Sequence, residues 1–142
     1  MHSQRLIRLM EQRLLRTFKE LGHDDMSVAR LQVLTILFQQ REPTTAQRIA
    51  AEMGLSPVTV GRFVRALEEG GWVERQGDPR DGRAYLLAPT AKARAHLQSF
   101  LQVSDEFMDQ AYAGIPRAEI DAWTAHLKRL VNDLEREPGE QD

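Results

Sequence analysis

At 142 residues the chain fits one domain, or a small domain with an oligomerisation arm. A hydrophobic share of 42% supplies a core, and 28% charged residues with few Pro or Gly exclude a disordered chain. The absence of cysteine excludes disulfides, thiolate zinc sites and cysteine redox sensing, and suits a reducing cytoplasm.

The net charge of −2 speaks on its face against a polyanionic partner, but its distribution does not. Residues 1–22 hold five basic and two acidic side chains, residues 44–101 eight and six, and residues 102–142 four and ten. The acidity gathers at the C-terminal end, so a local basic face is permitted in the middle of the chain. No secretory pattern is visible, because Arg5, Arg8, Arg13 and Arg16 are interspersed with the apolar positions instead of preceding them. The apolar run 33–38 is far too short to span a bilayer and holds Thr35. The expectation is a cytoplasmic protein without a membrane partner.

Ile7, Met10, Leu14, Phe18 and Leu21 recur at steps of three and four, the signature of one helix face. Gly22 ends that helix. Ser27 caps the next, which runs to about residue 40 and is apolar nearly all round, so it belongs at the centre of the core; Pro43 stops it. Thr44 and Gln47 match a capping box that opens a short helix ending at Met53. Gly54-Leu55-Ser56 form a turn, with Leu55 placed to plug the core, and a second helix follows from Pro57 to about Glu69. Residues 72–75 and 84–88 read as short strands around a tip containing Asp78-Pro79 and Asp81-Gly82, both turn dipeptides. Thr90 caps a long helix to about Tyr112, and Gly114 and Pro116 break it. The last helix places Ile120, Trp123, Leu127, Leu130 and Leu134 in a narrow apolar stripe of the kind that seals against another helix.

Two helices joined at Gly54 have the layout of a helix-turn-helix. Val60, Phe63, Val64 and Leu67 form the inward face of the second helix. Ser56, Pro57, Val58, Thr59, Gly61, Arg62 and Arg65 form the start and outer face that a major groove would meet. The two arginines suit phosphate or the O6 and N7 of guanine, and Thr59 in the first turn suits a phosphate. At the hairpin tip, Arg80 and Arg83 suit a narrow minor groove, while Asp78 and Asp81 shape the turn, one of them pairing with Arg83.

The run LSPVTVGRFVRALEEGGWVERQGDPRDGRAYLLAPTAKA resembles the MarR family of bacterial winged helix-turn-helix transcriptional regulators. The Asp-x-Arg-x-x-Arg wing (Asp78, Arg80, Arg83), followed by Leu-x-x-Thr and a helix, carries the resemblance most specifically, and the helix order extends it over nearly the whole chain. The resemblance implies a mainly α fold with a small β wing: an N-terminal dimerisation helix (1–22), a winged DNA-binding domain (23–89), and C-terminal linker and dimerisation helices (90–142). It implies a homodimer whose Arg80 enters the minor groove, and a repressor of a pseudo-palindromic site released by a small aromatic or phenolic effector. The apolar faces suggest Met10, Leu14, Phe18, Val33, Leu37 and Met108 as the effector pocket. Two positions depart from the pattern: Gly61 where Ser or Thr is frequent, and Ala93 where Gly is.

Other residues have plainer readings. His2, His23, His96 and His126 show no ligand spacing and read as ordinary helix or surface residues, so no metal and no cofactor is expected. Glu68 and Glu69 read as solvated charges, and Trp72 and Tyr85 as core of the wing. No nucleophile motif points to an enzyme. The alternative function is a winged-helix protein-interaction module without DNA binding, favoured by the near-neutral charge and Gly61 and opposed by the basic wing.

Overall fold

The computed structural model describes residues 2–136, except the side chains of Arg83 and Ala84. The order is α1 (His2–Glu20), α2 (Val28–Gln39), α3 (Ala46–Met53), α4 (Pro57–Glu69), β1 (Val73–Asp78), β2 (Asp81–Pro89), α5 (Ala91–Ala111) and α6 (Arg117–Glu135). Two compact units divide the chain, Met1–Ser104 and Asp105–Asp142. This is the mainly helical winged architecture that the sequence predicts.

Local chemistry sets the boundaries. Gly22, Gly54 and Gly114 all adopt positive φ where helices end. The Ser27 side chain accepts from the Arg30 N–H at 3.2 Å, and Thr90 Oγ1 accepts from the Ala93 N–H at 3.2 Å, both as N-caps. The predicted capping box at Thr44 does not form. Thr45 is the N-cap and accepts from the Arg48 N–H at 3.2 Å. Thr44 is buried and pairs with Leu87 through both backbone bonds, Thr44 N–H to Leu87 O at 3.1 Å and Leu87 N–H to Thr44 O at 2.7 Å. A single residue of extended chain thereby joins the hairpin as a third pairing partner. The buried strand edge claims this backbone, so the cap moves one residue on.

The strands also run further than their apolar residues indicate. β1 and β2 pair antiparallel from Val73–Pro89 to Asp78–Asp81, with an irregularity at Gly77/Asp78. Only Pro79 and Arg80 remain as the turn. Backbone pairing extends a hairpin past its packed part, because the ladder needs no apolar side chains once its root is fixed.

The first unit has one continuous core. α2 gives Val33, Leu34 and Leu37, α3 gives Ile49 and Ala50, α4 gives Val60, Val64 and Leu67, and the wing gives Trp72, Val73 and Leu87. Phe18 of α1 and Phe100 of α5 close it, their rings edge to face with centroids 5.8 Å apart. α1 therefore has two parts: Phe18 near its end belongs to the core, while Leu6, Ile7 and Leu9 near its start are exposed. Leu55 is exposed rather than plugging the core. Fifteen apolar side chains already fill that space, which leaves the turn residue outside it.

In the second unit α6 buries no residue, and Trp123, Leu127, Leu130, Val131 and Leu134 are all exposed. Among the described residues no helix is long and apolar enough to cross a membrane.

Candidate nucleic-acid interface

α4 starts on three cooperating features. Ser56 has an extended backbone and its Oγ accepts from the Thr59 N–H at 3.2 Å, Pro57 occupies the first helical position, and Ser56 Oγ and Thr59 Oγ1 share a 2.8 Å hydrogen bond. Ser56 and Thr59 thus bond to each other while remaining at the surface. Burial then fixes the rotation of the helix. Val60, Val64 and Leu67 are fully buried, which leaves Pro57, Val58, Arg62 and Arg65 exposed on the other side. Val58 is 70% exposed, an apolar side chain left outside the core that suits a thymine methyl group. Gly61 is half-buried, and a Cβ built on it would meet no atom within 4 Å. Packing does not require glycine here.

The wing tip is organised by Asp78. Its Oδ1 accepts from the Arg80 backbone N–H at 2.8 Å, an Asx turn that spans Pro79. Asp78 therefore bonds to the tip through the backbone of Arg80, whereas the sequence suggests a pairing of Asp78 or Asp81 with Arg83. The carboxylate holds the chain of Arg80 while the Arg80 side chain stays exposed. Asp81 opens β2 beside it, and the Arg83 side chain, with any pairing it makes, lies outside the described residues.

The root of the wing is tied to α4. Arg75 Nε lies 2.7 Å from Glu68 Oε1, and its guanidinium stands 5.7 Å from the centroid of the Tyr85 ring. Glu68 is thus a paired group rather than a solvated charge. Tyr85 is 61% exposed rather than core, since its place on β2 faces Arg75 and not the helices. Trp72, by contrast, is buried as expected.

A cleft of about 640 Å³ opens between the α2–α3 turn and the wing tip, lined by Arg41, Glu42, Arg48, Asp78 and Arg80 among others. The sequence does not single out Arg41 and Arg48, because neither belongs to the second helix or the tip. They are 39 and 32 positions from Arg80, and only the Thr44–Leu87 bridge brings them to the same rim. The basic excess over residues 44–101 includes Arg48, whereas Arg41 lies outside every region counted.

The residues suggested as an effector pocket do not behave as a set. Phe18, Val33 and Leu37 are close-packed core side chains, Leu14 packs against that core, Met10 is half-buried, and Met108 is exposed in the second unit. Their apolar spacing reflects core formation, which uses the same residue types as a pocket wall. The histidines also differ from expectation: His23 and His96 lie with ring centroids 5.1 Å apart. Among the described residues no group of three or more His, Cys, Asp or Glu side chains could hold a metal.

Comparison with known proteins agrees with this geometry. Residues 26–85, which span α2 to Tyr85 in the wing, match the MarR family. YdgJ of Bacillus subtilis, an HTH-type transcriptional regulator, is 26% identical over 114 residues, covering 78% of this chain and 68% of that protein. MprA of Escherichia coli K12, a transcriptional repressor, is 22% identical over 104 residues, 73% of this chain and 59% of MprA. Among solved structures, a MarR-family regulator from Rhodococcus sp. RHA1 superposes with TM-score 0.76 at 26% identity, covering 89% of this chain and 87% of that one. MepR of S. aureus, solved in complex with DNA, shares the fold at TM-score 0.79 and 19% identity, covering 93% of each chain. The helix-turn-helix, the Asx-turned arginine wing and the helices that follow stand in that family's order, and the segment from residue 26 to residue 85 is similar to MarR-family transcriptional regulators.

Proposed function

We propose that the protein is a homodimeric, sequence-specific repressor that reads duplex DNA with α4 in the major groove and the Arg80 wing in an adjacent minor groove. One observation carries the reading: Asp78 fixes the backbone of Arg80 while its guanidinium stays exposed, at the end of a hairpin tied to α4 by the Glu68–Arg75 pair. A cation held on a rigid arm beside an exposed helix face is pre-organised for a narrow groove of negative potential. Arg62 and Arg65 on α4, with Arg41 and Arg48 at the cleft, extend the basic surface for phosphates. Repression is supported by MprA, and a cytoplasmic site of action follows from a DNA target.

Homodimerisation rests on α6, whose apolar stripe is left exposed among the described residues. Burying the same face on a second copy gives an isologous interface, and a dimer of helix-turn-helix units addresses two half-sites about one helical turn of DNA apart. The aromatic or phenolic effector remains part of this proposal, without Phe18, Val33 and Leu37 as its contacts. It is supported by CouR of Rhodococcus jostii RHA1, which was solved with p-coumaroyl-CoA and shares the fold at TM-score 0.77.

Duplex binding by fluorescence anisotropy tests the reading. Arg80→Ala should weaken binding and remove any preference for AT-rich flanks. Arg62→Ala should cost about 1–3 kcal/mol if the side chain reads a base, or lower the salt slope by about one if it meets phosphate. Affinity that is unchanged in Arg80→Ala refutes the wing assignment. An absence of binding even at low salt favours the protein-interaction alternative.

A further inference from the structure

Beside the core, the α1–α2 segment, the start of α5 and the root of the wing bring two imidazoles into one aromatic cluster. The His23 and His96 rings meet edge to face at 85°. His23 also lies 5.3 Å from both Trp72 and Phe100, and His96 lies 5.4 Å from Trp72. His96 Nδ1 stands 2.9 Å from the Lys92 carbonyl oxygen, which can only accept, so Nδ1–H is the donor.

The charges around the pair are unequal. Lys92 Nζ sits 4.1 Å from the Trp72 ring centroid and donates to the Gly70 carbonyl at 2.7 Å. Asp25 supplies the nearby negative charge, but its Oδ2 already accepts from Trp72 Nε1 at 2.6 Å. The groups acting on His23 are therefore Asp25 from its own segment and His96 and Lys92 from α5, with the Trp72 indole facing it from the wing root. A proton on the His23 ring would place a cation near Lys92 within an aromatic cluster, with the one nearby carboxylate already engaged.

We propose that the His23–His96 contact is a proton-operated latch, closed when the His23 ring is neutral and holding α5 onto the α1–α2 segment and the wing root. Burial first, then His96, depresses the His23 pKa below the ordinary value of 6.5; Asp25 opposes this and Lys92 adds to it. The sign follows. Above 6.5 the ring is neutral both folded and unfolded, and stability is intact. As pH falls below 6.5 the unfolded chain binds the proton first, so the fold loses stability until the depressed folded pKa is passed. The latch acts next to the recognition elements: Gly70 is the C-cap of α4, and Thr90 Oγ1 donates to the Gly71 carbonyl at 2.6 Å just before the wing begins. Opening it would remove the two imidazole contacts from the Trp72 ring at the wing root.

Two measurements on the whole chain test the latch without DNA. Imidazole C–H resonances of the wild type should show His23 titrating below 6.5. The melting temperature should fall between about pH 7.5 and about pH 5.5, and His23→Gln should reduce that fall by about half or more. His23 titrating at or above 6.5, or an equal fall in wild type, His23→Gln and His96→Gln, overturns the latch. The wild-type titration decides even if a variant does not fold. Coupling to the wing rests on the DNA-binding reading and has its own measurement. Affinity for a random-sequence duplex should fall on acidification more steeply in wild type than in His23→Gln. Equal pH dependence removes the coupling, whereas no binding at either pH refutes the DNA reading and leaves the latch to the first two measurements.

Discussion

Gly61 sits on the outer edge of α4, in helical conformation and with open space where a Cβ would stand. Alanine there removes backbone freedom from the unfolded chain and clashes with nothing, so Gly61→Ala should stabilise the fold by about 1 kcal/mol, measured by urea denaturation. If glycine is present to let a DNA backbone come close, the same variant should lose duplex affinity while gaining stability. Opposite movements of the two quantities are the expected outcome, and unchanged affinity removes Gly61 from the interface. The residue scale is also where sequence reading reached furthest and where it stopped. The inward and outward residues of α4 were legible because burial follows the helical period. The means by which Asp78 shapes the tip was not. Its carboxylate stands two residues before the Arg80 N–H and five before the Arg83 guanidinium, and spacing alone does not rank the two; the two-residue turn brings the Arg80 N–H to it.

At the scale of elements, the presentation of α4 depends on its two ends. The N-terminal end rests on the Ser56–Thr59 hydrogen bonds and Pro57, and Ser56→Ala should cost about 1 kcal/mol in urea denaturation. A loss near zero would mean that Pro57 and packing alone set the start of the helix. The C-terminal end is held by the Glu68–Arg75 pair and by the Lys92 and Thr90 bonds to the Gly70 and Gly71 carbonyls. Gly70 is also crowded: a Cβ there would lie 2.5 Å from Asp25 Oδ2 and 2.7 Å from Trp72 Cδ1. Gly70, the C-cap of α4, thus also leaves room for the Asp25–Trp72 bond. Helix limits were legible from Gly, Pro, Ser and Thr. The strand limits were not, because a hairpin arm beyond its packed root is held by backbone pairing, to which no side-chain pattern corresponds.

For the whole molecule, the exposed face of α6 makes the sharpest demand. Leu127 is 63% and Leu130 57% exposed, and a second copy would bury each leucine twice by symmetry, at about 1.5–3 kcal/mol per side chain. Leu127→Glu should therefore shift sedimentation from dimer to monomer while leaving the core of the first unit folded. A wild type that sediments as a monomer at micromolar concentration contradicts the dimer outright. Cooperative duplex binding should disappear along with the dimer, because each copy would then hold a single half-site.

Sequence by itself determined the order of the helices, the outer face of α4, the arginine wing and the family resemblance, since all of these depend on residues close together in the chain. Tertiary structure alone decided what distant residues do together. The Thr44–Leu87 bridge moves a helix cap and gathers Arg41, Arg48 and Arg80 at one cleft. The core claims Phe18, Val33 and Leu37, which sequence could not separate from a pocket wall. His23 and His96, ordinary along the chain, become a pair because α5 folds back across Trp72. Periodicity encodes which face is buried, but not which buried or half-buried groups meet, and charge coupling depends on that meeting.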